Sequence, residues 1–221
     1  MKRFNLDKMD DASRIVIVGK RTSGRTTLIK DILQHFKHIS AGLVVSRVEH
    51  LEQKYKDVVP ADCIRYELDG VSEEVLERQA QAKNQSSITQ HSIVDPRFFL
   101  VLDDVMFANG WQDDTSMQEV LWNGAKHDIL RILSLGYFLG LSKTIRDKID
   151  WIFIFREEVN GNLKRLYDSC CGFFPNQHVF DSVLSQVAKG YTCLVVDNRQ
   201  DGQCIERAFW YQAPSPGDTS W

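Results

Sequence analysis

The sequence predicts an α/β fold with a mostly parallel central sheet and helices on both faces. Three observations carry that expectation. Short apolar runs alternate with segments of helical period along the chain, as in a sheet covered on both sides. The first run opens directly into a glycine-bounded loop and then a helix. A later run, Phe98-Phe99-Leu100-Val101-Leu102, ends in two aspartates.

Residues 14–18 (RIVIV) are the first expected strand, closed by Gly19. Residues 26–38 follow as a helix, because Leu28, Ile29, Ile32, Leu33 and Phe36 recur on one face. Residues 42–46 (GLVVS) read as the second strand. Residues 73–83 form a polar helix with Ser72 as its expected cap. Residues 98–102 are a buried strand, expected at neither sheet edge. Residues 117–122 are helical and 129–135 a strand. The runs 151–155 (WIFIF) and 193–196 (CLVV) complete the sheet. Two helices, 163–170 and 179–189, separated by Pro175, lie between them. No repeat or linker divides the chain, so residues 1–213 are expected to form one domain and the turn-rich 214–221 a loose tail.

Composition narrows the function classes. The 221 residues suit one well-filled domain. Lys plus Arg number 27 against 30 Asp plus Glu, a formal charge of −3, which argues against coating nucleic acid by charge alone. No apolar run approaches the ~18–20 residues of a spanning helix, so no transmembrane segment is expected. The N-terminal MKRFNLDK lacks the apolar core of a secretory signal. Cys63, Cys170, Cys171, Cys193 and Cys204 are odd in number and contain no C-x-x-C pair. That pattern argues against a disulfide framework or zinc site and for thiols in a reducing compartment. The six histidines show no H-x-x-x-H spacing.

The loop after the first strand reads Gly19-Lys20-Arg21-Thr22-Ser23-Gly24-Arg25-Thr26-Thr27. This is G-x-x-x-x-G-Arg-Thr, one residue away from the phosphate-loop pattern, in the right place between strand and helix. Its backbone amides can wrap a phosphate at a helix N-terminus. Gly19, Ser23, Gly24, Arg25, Thr26 and Thr27 are therefore expected to bind ATP, with the Thr26 hydroxyl on Mg²⁺. Arg25 takes the usual lysine position. It keeps the charge but is a planar fork on a longer stem, and is expected to point at the β- and γ-phosphates. At the acidic strand end, Asp103 is expected to hold Mg²⁺ with Thr26, and Asp104 to orient or deprotonate the attacking water. Either motif alone fits a bare turn. In this order they point to a phosphate-loop NTPase.

Several segments in order resemble the genome-packaging ATPase of nucleocytoplasmic large DNA viruses, the poxvirus and giant-virus type, within the FtsK/HerA superfamily. They are IVIVGKRTSGRTTLIKDIL (15–33), Ser46 and Glu49, YKDVVPADCIRYE (55–67), Leu76-Glu77-Arg78-Gln79 and FFLVLDDV (98–105) with Trp111 and Asp114. NGAKHDI (123–129), ILSLGYFLGLSKTIRDKIDWIFIFRE (132–157), CLVVDN (193–198) and AFWYQA (208–213) complete the match. Departures from the family pattern cluster at reactive positions. Thr22 stands for glycine and Arg25 for lysine. Ala125 and Lys126 stand in an Asn-Gly-Arg-His run, and Gly136 replaces a glutamine expected to sense the γ-phosphate or water.

The resemblance implies ATP hydrolysis driving double-stranded DNA into a capsid, by a homo-oligomeric ring. It further implies capsid or membrane-associated virion proteins as partners, and the host cytoplasm (viral factory) or virion as location. Arg146, on the Arg-x-x-x-Asp pattern with Asp150, is the candidate arginine acting on a neighbouring subunit's site; a surface salt bridge with Asp147 or Asp150 is the alternative. Lys143, Arg146 and Lys148 make a small basic loop, read as a solvated face or a DNA contact. Trp210 and Tyr211 read as core or interface aromatics before base-stacking ones. Two readings stay open: a divergent ATPase compensating through Lys20, Lys126 or His127, or a nucleotide-binding or structural subunit that kept the fold and lost turnover. A small nucleotide kinase is a third, but the chain shows no arginine-rich lid.

Overall fold

The computed structural model describes residues 1–88, 95–105, 110–138, 141, 143–200 and 205–215. Among the described residues nine strands form a single sheet: β1 (Lys2–Arg3), β2 (Arg14–Val18), β3 (Gly42–Ser46), β4 (Ile64–Arg65), β5 (Phe98–Asp103), β6 (Ile129–Leu135), β7 (Trp151–Ile154), β8 (Thr192–Asp197) and β9 (Ala208–Gln212). Their order is β1-β9-β8-β7-β2-β6-β5-β3-β4. From β7 through β4 every neighbouring pair is parallel, and only β8 pairs antiparallel on both sides. The six expected strands are all present, and β5 is an interior strand. The sequence reading omitted β1 and β4, which have two residues each, and β9. In β9 the run Ala208-Phe209-Trp210-Tyr211-Gln212 lacks β-branched residues, and its strand state follows from pairing with β8.

The helices are α1 (Arg25–His35), α2 (Glu49–Glu52), α3 (Val71–Ile88), α4 (Thr115–Asn123), α5 (Lys143–Arg146), α6 (Asn160–Leu166) and α7 (Gln177–Val187). Because side chains alternate along a strand, β2 feeds two cores. Ile15 and Ile17 pack with Leu28, Ile29 and Ile32 of α1 on one face. Val16 and Val18 face the other, with α3, α4, α6 and α7. Leu28, Ile29 and Ile32 are fully buried, each worth about 1.5–3 kcal/mol of burial free energy. These contacts fix α1 against the sheet and therefore the loop at its head.

Several boundaries differ from expectation for local reasons. Ser72 lies inside α3 rather than capping it, and its hydroxyl donates to Glu73. Asp114 caps α4 by accepting the Met117 amide at 2.6 Å. Asn176 caps α7 through the Val179 amide. The helix expected over 163–170 is α6 followed by a π-helical turn, Tyr167–Cys171. Tyr211 is a core aromatic beside Phe4 and Phe153, its hydroxyl donating to Asp31 at 2.6 Å. Cys63, Cys170, Cys171 and Cys193 are free thiols; Cys204 and residues 216–221 of the expected tail lie outside the described residues. Among the described residues no helix is long and apolar enough to cross a membrane.

Candidate functional site at the head of the first helix

The loop between β2 and α1 stands at the C-terminal ends of the parallel strands, where open α/β sheets place ligands. Gly19 is hydrogen-bonded to Leu135 (N–H to O, 3.0 Å). A Cβ there would lie 2.7 Å from Phe155 Cβ, so only glycine fits. Gly24 has φ +108, and its Cβ would meet the Tyr191 ring at 2.8 Å. The Ser23 hydroxyl is buried with no partner among the described residues. Thr22 has φ +68, a left-handed conformation that a β-branched side chain resists. The first-turn amides of α1, on Arg25, Thr26 and Thr27, have no acceptor within the helix, and the helix dipole adds positive potential.

A cavity of about 410 Å³ opens in front of the loop, lined by Thr22, Gly24, Arg25, Thr26 and Thr27, by Asp103 and Asp104, and by Arg21, Val48, Glu52, Lys54 and Tyr191. The structure thus brings Gly24, Arg25, Thr26, Thr27 and both aspartates together around one cavity, while Gly19 and Ser23 belong to the loop but not to the cavity wall. A second concavity of about 340 Å³ is walled by Glu67, Asp69, Glu73 and Asp114, and its carboxylates would repel a phosphate.

Parallel pairing sets Ser46, Asp103 and Ser134 side by side on β3, β5 and β6. Asp103 is buried, and burial pushes its carboxyl above the usual range, against hydrogen bonding from Ser134, the charge of Arg25 and the Tyr55 hydroxyl. The Tyr55 hydroxyl donates to Asp103 Oδ2 at 2.9 Å, and burial together with that carboxylate holds the phenol well above its ordinary pKa. Asp104 turns out of the strand at φ +56, its amide bonded to the Ser134 carbonyl at 3.1 Å.

Arg25 differs from the sequence expectation. Its guanidinium is engaged by a carboxylate: it grips Asp104 with two 2.8 Å bonds, and Nη1 also donates to Ser134 Oγ at 3.0 Å. The side chain is only 8% exposed. Burial opposes its charge, but the pairing with Asp104 outweighs it and the pKa is raised. The cause is the fork itself, which matches a carboxylate in a way a lysine ammonium does not. Asp104, expected to handle water, is therefore held by Arg25. Gly136 lies alongside: a Cβ there would be 3.7 Å from Asp104 Oδ1, ordinary contact distance. Two of the family departures, Arg25 and Gly136, thus flank one carboxylate.

The other suggested cations are elsewhere. Lys20 reaches Glu157 and Glu158 at 3.7 and 3.5 Å. Lys126 and His127 precede β6 and so sit at the opposite end of the sheet, where His127 contacts Glu119 at 3.0 Å. Arg146 is also at that end, since Asp150 is bonded to Arg14 at the start of β2. The length of β2 places it about 15 Å or more from the loop. Its guanidinium donates to Ser169, and Asp150 pairs with Arg14 at 3.0 Å instead. Sequence reasoning gave no role to Tyr55, Lys54 or Tyr191, and none to Ser134. Tyr55 opens a resemblance segment, but nothing in its spacing announces contact with Asp103.

Strand, loop and helix, with the acidic strand two places away in a parallel sheet, make up the architecture of the phosphate-loop NTPase fold. No family model matches the chain. It is 30% identical over 218 residues to uncharacterized protein L437 of Acanthamoeba polyphaga mimivirus, covering 96% of this chain and 77% of that one. It is 32% identical over 210 residues to uncharacterized protein 075L of Invertebrate iridescent virus 6, covering 91% and 78%. The genome packaging NTPase B204 of Sulfolobus turreted icosahedral virus 2, in complex with sulfate, has the same fold with a TM-score of 0.62 at 16% identity, over 93% of this chain and 98% of that one. The pCW3 conjugation coupling protein TcpA with ATPγS gives 0.58 at 12% identity, over 92% and 60%. The chain belongs to the large-DNA-virus family that includes L437 and 075L, and its fold is that of the viral genome-packaging ATPases.

Proposed function

We propose that this chain is the ATP-driven motor subunit that moves viral double-stranded DNA into a capsid. The observation that carries the reading is the cavity itself: a glycine loop with unpaired helix-head amides faces Thr26, Asp103 and Asp104 across one open space. Amides and dipole suit a triphosphate. Thr26 and Asp103 supply the hard oxygen donors that Mg²⁺ takes alongside phosphate oxygens and water. Both line the same cavity and lie beside the Tyr55 hydroxyl, which suits a shared cation. Bound Mg²⁺ would neutralise charge on the phosphates. The chain's own part is to bind the triphosphate on the loop, orient it with Thr26, and receive the proton of water at the Asp104 carboxylate once Arg25 releases it.

In this reading the subunits form a homo-oligomeric ring around DNA, and Arg146 serves a neighbour's site after leaving Ser169. Capsid or membrane-associated virion proteins anchor the ring, in the viral factory of the host cytoplasm or the virion. The test is ATP hydrolysis by the full chain with and without double-stranded DNA. Stimulation by DNA supports a motor; no stimulation at any ring-forming concentration argues against one.

The Arg25–Asp104 pairing favours a second reading, a nucleotide-binding or structural subunit with little turnover. It predicts saturable Mg-ATP binding with no DNA-dependent hydrolysis.

A further inference from the structure

Beneath the loop cavity lies a side chain that neither sequence motif contains. Tyr55 is fully buried in the core beside α1. Its hydroxyl donates to Asp103 Oδ2 at 2.9 Å, and the Thr26 side chain lies near enough to the phenol to lower its pKa. The phenol therefore stands beside both groups assigned above to the cation. The phenol proton is committed to Asp103, and the carboxylate keeps further lone pairs, as does the Thr26 hydroxyl, which is what a hard cation takes.

Tyr55 is itself held by a buried carboxylate. Glu49 is 3% exposed. Its two oxygens accept the Tyr55 amide at 2.7 Å and the Lys54 amide at 2.9 Å. The Tyr55 carbonyl accepts the Val58 and Val59 amides at 2.9 and 2.8 Å. A charge buried to bind two amides of one loop fixes that loop's position, and with it the phenol.

We propose that Tyr55 is a positioning residue for the divalent cation, orienting the Asp103 carboxylate beside the Thr26 hydroxyl, and that Glu49 holds it in place. The proposal rests on the nucleotide reading above. Partners that orient metal ligands typically contribute 10–100-fold to metal affinity.

The experiment titrates a non-hydrolysable ATP analogue into the full chain, in EDTA and across a Mg²⁺ series, for wild type and Tyr55→Phe. The variant loses one oxygen and keeps the packed ring. The expected result is a half-saturating Mg²⁺ concentration raised about tenfold or more, with analogue affinity in EDTA within about twofold and binding restored by excess Mg²⁺. Glu49→Gln, which keeps one acceptor, is expected to shift the same midpoint less, and carries the test if Tyr55→Phe does not fold. An unchanged Mg²⁺ midpoint, or an equal loss in EDTA that Mg²⁺ does not restore, overturns the proposal and leaves the nucleotide reading standing. A wild-type chain that binds no analogue in either condition overturns both.

Discussion

Replacing Arg25 with lysine separates the two tasks this position performs. In the structure the guanidinium stabilises the fold by gripping Asp104 through two 2.8 Å bonds and reaching Ser134 at 3.0 Å. Hydrogen bonds to charged groups are worth about 1.5–3 kcal/mol each. Asp104 is 39% exposed, so water recovers much of the loss and the figure must be discounted. An ammonium keeps one contact in place of the fork. Arg25→Lys is therefore expected to lower stability by about 1–2 kcal/mol, read by urea denaturation of the nucleotide-free chain. Its effect on chemistry has the opposite sign. Lysine places a compact charge near the transferring phosphoryl group and leaves Asp104 less restrained, so single-turnover ATP hydrolysis is expected to rise. If about 1.4 kcal/mol of transition-state stabilisation is restored, the gain is roughly tenfold. Nucleotide affinity should change less than the rate, since loop amides and helix dipole already attract the anion. A lysine variant that is less stable yet no faster would refute the argument that the fork restrains the site.

Three further outcomes follow from local geometry. Thr22→Gly should stabilise the chain by about 1 kcal/mol, because Thr22 holds φ +68 at a strain cost glycine does not bear; an unchanged or lower urea midpoint would count against strain at this residue. Gly136→Gln fits beside Asp104, where a Cβ lies at 3.7 Å. It should raise hydrolysis, by roughly tenfold if the amide orients water; if it does so while Arg25→Lys does not, the missing amide is the main defect. Asp103 carries a carboxyl raised by burial. With the folded pKa above the unfolded one, the native state holds the extra proton, and this group's contribution to stability falls as pH rises from the ordinary carboxylate value through the raised one. Asp103→Asn should remove that part of the slope while abolishing the Mg²⁺-dependent increment in nucleotide binding. A pH–stability curve unchanged in slope would exclude Asp103 as its source.

Much of the fold was legible because burial on both sheet faces writes itself as continuous apolar runs. Residues 98–102 and 151–155 could be little else, and the four apolar positions of α1 follow its period, with Phe36 at its C-cap continuing the same face. Elements that owe their state to a partner were not legible. The strand β9 forms against β8, and two-residue strands carry no pattern. Of the site, the loop and the acid pair were readable from spacing alone. The direction of the Arg25 side chain was not, since it depends on a carboxylate 79 positions away. Nor was Tyr55, which reaches Asp103 across 48 positions through a loop held by Glu49. Lys126 and His127 looked near the site in sequence because they precede β6; parallel topology puts the start of that strand at the far end of the sheet.

The most direct measurement is an experimental structure of the full chain with Mg²⁺ and a non-hydrolysable ATP analogue. The account predicts triphosphate density within hydrogen-bond distance of the amides of Arg25, Thr26 and Thr27, the cation between Thr26 and Asp103, and Arg25 drawn off Asp104. Density for the analogue at another surface, or an empty loop cavity at a saturating concentration, would contradict it.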